Sequence, residues 1–101
     1  MREYELTVVT RADLEETVLN ETLEFLSGLL TEAGATEEGT KVNVWGQRNL
    51  AYPIDDYTTG YYVMYEVLLD PQLTSEMERN MAFREEILRH LLVRKEEVAE
   101  S

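Results

Sequence analysis

The sequence predicts an α+β fold of order βαββαβ, a four-stranded antiparallel sheet with two helices on one face. Four stretches have the apolar and β-branched composition and period of strands, and two others repeat apolar residues at helical spacing. A length of 101 residues suits one core and leaves no room for a second domain.

The first strand is "YELTVV", residues 4–9, with Tyr4, Leu6 and Val8 on one face. The segment Ala12–Gly34 follows as a long helix. Asp13 is a candidate N-cap with Glu16 three residues on, and Gly34 fits the residue after the C-cap. Leu14, Val18, Phe25, Leu29 and Ala33 form its apolar stripe, widened by Leu26 and Leu30. Residues 35–54 read as a long second strand with Val42 and Val44 facing inward. Gly46 marks a bulge there, and Pro53 places the strand's end at a sheet edge because proline cannot donate a ladder hydrogen bond. "DDYTTG", residues 55–60, is the turn into the third strand, "YYVMYEVLL", residues 61–69. Asp70–Phe83 forms a shorter helix with Asp70 as cap, Pro71 at the first helical position, and Leu73 and Met77 toward the core. "EILRHLLVR", residues 86–94, closes the sheet. The domain is expected to span 1–95 with a frayed tail at 96–101, the closing "KEEVAES", residues 95–101, reading as frayed. This element order is that of the ferredoxin-like split βαβ arrangement, which hosts enzymes, regulatory modules and RNA binders alike.

Composition narrows the function classes. Cysteine is absent, which excludes disulfide staples, thiolate metal sites and cysteine nucleophiles. The first ten residues carry charge and alternate like a strand, so no signal peptide is expected, and no run of eighteen apolar residues exists. A cytoplasmic protein without membrane partners is the expectation. The 21 acids outnumber the nine bases, giving a formal charge of −12. That opposes unaided binding to nucleic acid, which depends on Lys and Arg neutralising phosphates. Between Ala12 and Thr40 lie eight acids and no Lys or Arg, while the bases gather elsewhere. A solvated helix face accounts for the acids themselves, and leaves the other side of the molecule able to meet a polyanion.

Catalysis finds little support. The one histidine, His90, lies inside an apolar strand, and a shared helix-covered face with Leu88 and Leu92 makes it a satisfied core or rim residue. No Ser/His/Asp set, Gly-rich phosphate loop or metal-ligand spacing is present, so neither cofactor nor small-molecule substrate is expected. The adjacent glutamate pairs diverge, whereas a general acid and base must converge in a cleft.

The sheet face away from the helices is more informative. Val63, Tyr65 and Val67 point toward the helices, which leaves Tyr62, Met64 and Glu66 on the other side, joined from the last strand by Arg89, Leu91 and Val93. An open face this apolar usually marks a partner. The third strand has aromatics but no Arg or Lys, unlike the base-stacking strand of RNA-recognition motifs.

The stretch "WGQRNLAYPI" resembles the signature of the bacterial small-subunit ribosomal protein S-six family: Gly, any residue, a basic residue, a polar residue, then Leu-Ala-Tyr-Pro-Ile. Here it runs Gly46, Gln47, Arg48, Asn49, Leu50, Ala51, Tyr52, Pro53, Ile54. "MREYEL", "GYYVMYEV" and "FREEILRHLLVRK" are similar to that family's start, third strand and final segment, so the resemblance covers nearly the whole chain. It implies a structural protein of the small ribosomal subunit that pairs with ribosomal protein S-eighteen and, with it, binds the central domain of small-subunit ribosomal RNA. Arg2, Arg48, Arg89 and Arg94 are the implied RNA-contacting candidates. Trp45, Tyr52, Pro53, Ile54, Tyr62 and Met64 are the implied partner-binding candidates. Many relatives carry two basic residues where this chain has Arg48-Asn49, which shifts weight toward the partner. A regulatory or interaction domain that self-associates through the open sheet face is the alternative reading.

Overall fold

A computed structural model describes residues 1–95. Its order is β1 (Arg2–Arg11), α1 (Glu16–Glu32), β2 (Thr40–Ile54), β3 (Tyr57–Leu69), α2 (Thr74–Ala82) and β4 (Ile87–Arg94). The four strands form one antiparallel sheet in the order β2-β3-β1-β4, with both helices on one face: the ferredoxin-like arrangement. The expected tail 96–101 lies outside the described residues. Lys95, read as part of the fraying segment, is instead held: its N–H donates to the Glu3 carbonyl and its Nζ to Glu66 Oε1 at 2.8 Å.

The core forms where the central strands meet the helices. Tyr4, Leu6 and Val8 of β1 and Val63, Tyr65, Val67 and Leu69 of β3 are buried against Leu26, Leu29, Leu30 and Ala33 from α1 and its C-cap, and Met77 and Met81 from α2. Alternation along β1 and β3 puts these residues on one face, as the period of a strand requires. Thr22 is also fully buried in α1, which its polarity disguises in sequence. Its hydroxyl donates to the Val18 carbonyl at 2.8 Å, so the helix satisfies it internally.

Several local expectations are corrected. Asp13 does not cap α1; the helix begins at Glu16 after Glu15, because Asp13 is drawn back onto Arg11 by a two-pronged ion pair. Asp70 does not open α2. Residues Asp70–Leu73 form a turn in which Asp70 Oδ1 accepts the Gln72 N–H, and the helix starts at Thr74. That leaves Leu73 at the helix's outer end, 38% exposed rather than in the core. Val42 and Val44 do point toward the helix side, since they pair with Tyr65 and Val63, but they are 52% and 56% exposed. The buried α1 residues pack on β1 and β3 and leave the edge strand uncovered. Near the start of β4 a register shift makes Ile87, and not Leu88, the residue packed on the core.

The expected end of α1 is as observed. Gly34 takes φ +104°, the left-handed region that favours glycine after a C-cap, and donates to the Thr31 carbonyl. The turn after β2 is shorter than the sequence suggests. Ile54 pairs with Tyr57, so only Asp55 and Asp56 bridge the strands, both at positive φ as a two-residue primed turn demands.

Candidate functional site

Register assembles the open face from cross-sheet rows. Gly46, Tyr62, Val9 and Arg89 form one row, and Asn43, Met64, Thr7 and Leu91 the next. Lys41, Glu66, Glu5 and Val93 form the third, while Arg48, Gly60 and Arg11 lie beyond the first. The middle of the face is therefore apolar, with arginines at one end and carboxylates at the other. Leu91 and Val93 are 53% and 47% exposed, which confirms an uncovered apolar strip.

A bulge determines which residues join this face. Val44 pairs with Val63 but Gly46 with Tyr62, so β2 gains one residue there, and Gly46 adopts φ +77°. Val42 and Val44 face the helices, yet Gly46 and Arg48, at the same parity, face the open side. Trp45, the residue inserted between them, stacks on Tyr62. A second irregularity between Asn49 and Ile54 adds three residues to β2. The hairpin end curls toward β1 and β4, bringing Leu50, Tyr52 and Ile54 around a small cavity with Val9, Tyr62 and Arg89. Arg89 Nη1 donates to Tyr52 Oη at 3.1 Å.

Of the partner-binding candidates, Trp45, Tyr52, Ile54, Tyr62 and Met64 converge here. Tyr52 is 60% exposed and Tyr62 and Met64 are half-buried. A shallow cavity of about 160 Å³ lies beside them, lined by Thr7, Val9, Tyr62, Arg89 and Leu91. Pro53 is exposed at the hairpin end. The four arginine candidates do not come together. Arg48 and Arg89 share the hairpin end of the open face. Arg2 pairs with Leu69 and Arg94 with Tyr4, which puts both at the opposite end, at helix-side positions. Among the described residues Arg48 is in no ion pair, with neither Asp55 nor Glu37 as its counter-ion. Arg11, near it in register, is spent on Asp13, on Glu85 at 3.8 Å and on the Tyr57 ring.

Val9 and Leu50 were not singled out in sequence as parts of this site. Val9 is only 5% exposed although it lies on the open face, because the hairpin end covers it. The sole hint was two successive valines breaking a polar–apolar alternation. His90 is a rim residue whose Nε2 meets Glu78 Oε1 at 3.1 Å, tying β4 to α2. Among the described residues no three side chains of metal-ligating type cluster.

Comparison with known proteins agrees with this architecture. The sequence profile of the Ribosomal protein S6 family matches residues 3–94. Small ribosomal subunit protein bS6 of Alkaliphilus metalliredigens is 34% identical over 97 residues, 96% of this chain and all of the relative. That of Moorella thermoacetica is 35% identical over 99 residues, covering 98% of this chain and 99% of the relative. The crystal structure of 30S ribosomal protein S6 from Thermotoga maritima superposes with a TM-score of 0.79 at 26% identity, covering 93% of this chain and 87% of that one. With nearly the full chain matched and the same strand order built, the chain belongs to the ribosomal protein S6 family.

Proposed function

We propose that this chain is a structural, non-enzymatic component of the small ribosomal subunit that acts as half of a heterodimer with ribosomal protein S-eighteen. The pair would bind the central domain of small-subunit ribosomal RNA, in the platform, and so reside with ribosomes in the cytoplasm. The observation that carries this reading is the open face itself: an uncovered apolar strip of Tyr62, Met64, Leu91 and Val93, ending at the exposed Arg48. An apolar strip suits a protein partner, and one exposed arginine at its rim suits a phosphate. The formal charge of −12 assigns most of the phosphate neutralisation to the partner. The relatives' names, each a small-subunit ribosomal protein, support the same assignment.

Co-sedimentation tests the first part. The tagged chain is expected in the small-subunit fractions of a cell lysate at physiological salt, and recovery only in the soluble pool would reject it. Mixing purified chain with purified S-eighteen tests the second, with one-to-one complex as the expected result. A homodimer that excludes S-eighteen would favour self-association through the open face instead.

A further inference from the structure

We propose that the Thr40–Val44 edge of β2, with the groove beside it, is a strand-addition site for an extended basic segment of a partner protein. The site lies on the opposite side of the sheet from Tyr62 and Leu91, so it goes beyond the heterodimer surface proposed above.

β2 is one of the sheet's two edge strands, and among the described residues no strand pairs with its outer side. Half of its N–H and C=O groups therefore face outward, which is a template for another chain unless the edge is guarded. The bulge at Trp45 and Gly46, the irregular pairing after Asn49, and Pro53 guard this edge only beyond Val44. From Thr40 to Val44 the pairing with β3 is regular, and no proline or bulge interrupts it. Lys41 is the one charge there, and it is at an open-face position, paired with Glu66. On the helix side the same five residues present Thr40, Val42 and Val44, the two valines more than half exposed.

A groove of about 370 Å³ runs between Val42 and α1, lined by Ser27, Leu30, Thr31, Ala35, Val42 and Tyr65. Its end is fixed by a local turn, with Thr40 Oγ1 donating to the Thr36 carbonyl and the Gly39 N–H donating to Thr36 Oγ1. An added strand would place alternate side chains over Val42 and into this groove. Its main chain would supply affinity and the groove selectivity.

Charge decides the occupant. Glu37 lines the groove, Glu38 follows it, and the exposed Glu24 lies one turn before Ser27 on α1. No Lys or Arg occurs from Ala12 to Thr40. A second copy adding β2 to β2 would bring two such flanks together, and RNA would meet the same repulsion. A protein segment alternating apolar and basic residues meets attraction on one face and apolar contact on the other.

The test uses the full chain, 15N-labelled, with a synthetic ten-residue peptide alternating valine and lysine, and with its valine–glutamate counterpart. The lysine peptide is expected to bind saturably, tighter than about 1 mM. It should shift the amides of Ser27, Leu30, Thr31 and Thr40–Val44, and slow hydrogen exchange at Thr40–Val44 by about tenfold. Val42→Lys, or the milder Val42→Thr should the first lower the melting temperature, is expected to weaken binding while the glutamate peptide stays inert. Equal binding of both peptides, no saturable binding, or shifts confined to Tyr62 and Leu91 would overturn the proposal. So would a dimer of the chain that Val42→Lys dissolves, or protection of Thr40–Val44 by an RNA oligonucleotide.

Discussion

The ring of Trp45 lies over that of Tyr62, with centroids 6.1 Å apart and planes inclined by 12°. The bulge makes this pairing possible. Were the pairing regular past Val44, with Trp45 opposite Tyr62, Arg48 would keep the parity of Val42 and Val44 and face the helices. One glycine thus sets which face the whole Gly46–Ile54 motif serves.

Gly46→Ala tests that dependence. A Cβ at Gly46 would meet nothing within 4 Å, so the cost of the substitution is that of φ +77° alone. About 1 kcal/mol of stability should be lost. Trp45 is the chain's one tryptophan, so its fluorescence reports the stack directly. A changed emission maximum with a modest drop in melting temperature is expected, and an unchanged spectrum would mean that the bulge persists without glycine.

Strand and helix order were legible because the periods of two and 3.6 are local properties of β1, β3 and α1. The burial of β2 was not. Val42 and Val44 have the composition of inward residues, but whether α1 reaches over an edge strand depends on where the helix lies in space. Likewise the Asp13 cap lost to Arg11, a competition between two sequence-local partners that only geometry resolves. The site was legible as far as its motif. The convergence of Tyr52 with Arg89, 37 positions apart, depends on the three-residue excess in the hairpin, which no local pattern announces.

Tyr62 and Met64 should matter for binding more than for folding. Both lie on the open face, half-buried, outside the buried cluster. Replacing both with serine is expected to weaken heterodimer formation by ~1–4 kcal/mol, while stability changes by about 1 kcal/mol or less. Calorimetry with S-eighteen and thermal melts of the free chain separate the two. A large stability loss with unchanged binding would reverse the functional assignment of the faces.

Two glycine-to-alanine changes should act in opposite directions. Gly28 sits in the exposed middle of α1, where a methyl would touch nothing, so Gly28→Ala should stabilise by ~0.5–1 kcal/mol. At Gly60 a Cβ would collide with Val9 Cγ1 and press on Leu50 Cδ2. Gly60→Ala should cost ~1–3 kcal/mol and loosen the hairpin end from β1. Urea denaturation of both variants measures the signs.

Tyr65 confers an alkaline limit. Burial against the core pushes its hydroxyl up to about 12, with the Tyr61 charge adding to the effect. The folded value lies above the unfolded one, so the neutral phenol stabilises the fold fully below the unfolded value near 10. That contribution is lost as pH rises from about 10 to 12, on the order of 2 kcal/mol in all. Tyr65→Phe, which cannot ionise, should flatten this part of the stability–pH curve. An unchanged alkaline slope would assign the effect to the other tyrosines.

Arg48 should serve the assembled RNA complex and not the fold. It is exposed at the hairpin end of the open face, next to a bulge, and free of any ion pair among the described residues. Arg89 differs, because its bond to Tyr52 holds the hairpin in place. Arg48→Ala is therefore expected to leave the heterodimer intact and weaken RNA binding by the pair, with the salt slope reduced by about one phosphate contact. Arg48→Lys should recover only part of the loss, since an ammonium cannot present the planar fork. Arg89→Ala should weaken the heterodimer as well, by releasing Tyr52. RNA affinity of the pair across a salt series, beside S-eighteen affinity without RNA, distinguishes these roles. Identical affinities and slopes for the unmodified, alanine and lysine forms at position 48 would make Arg48 an ordinary solvated residue, and leave RNA contact to the partner.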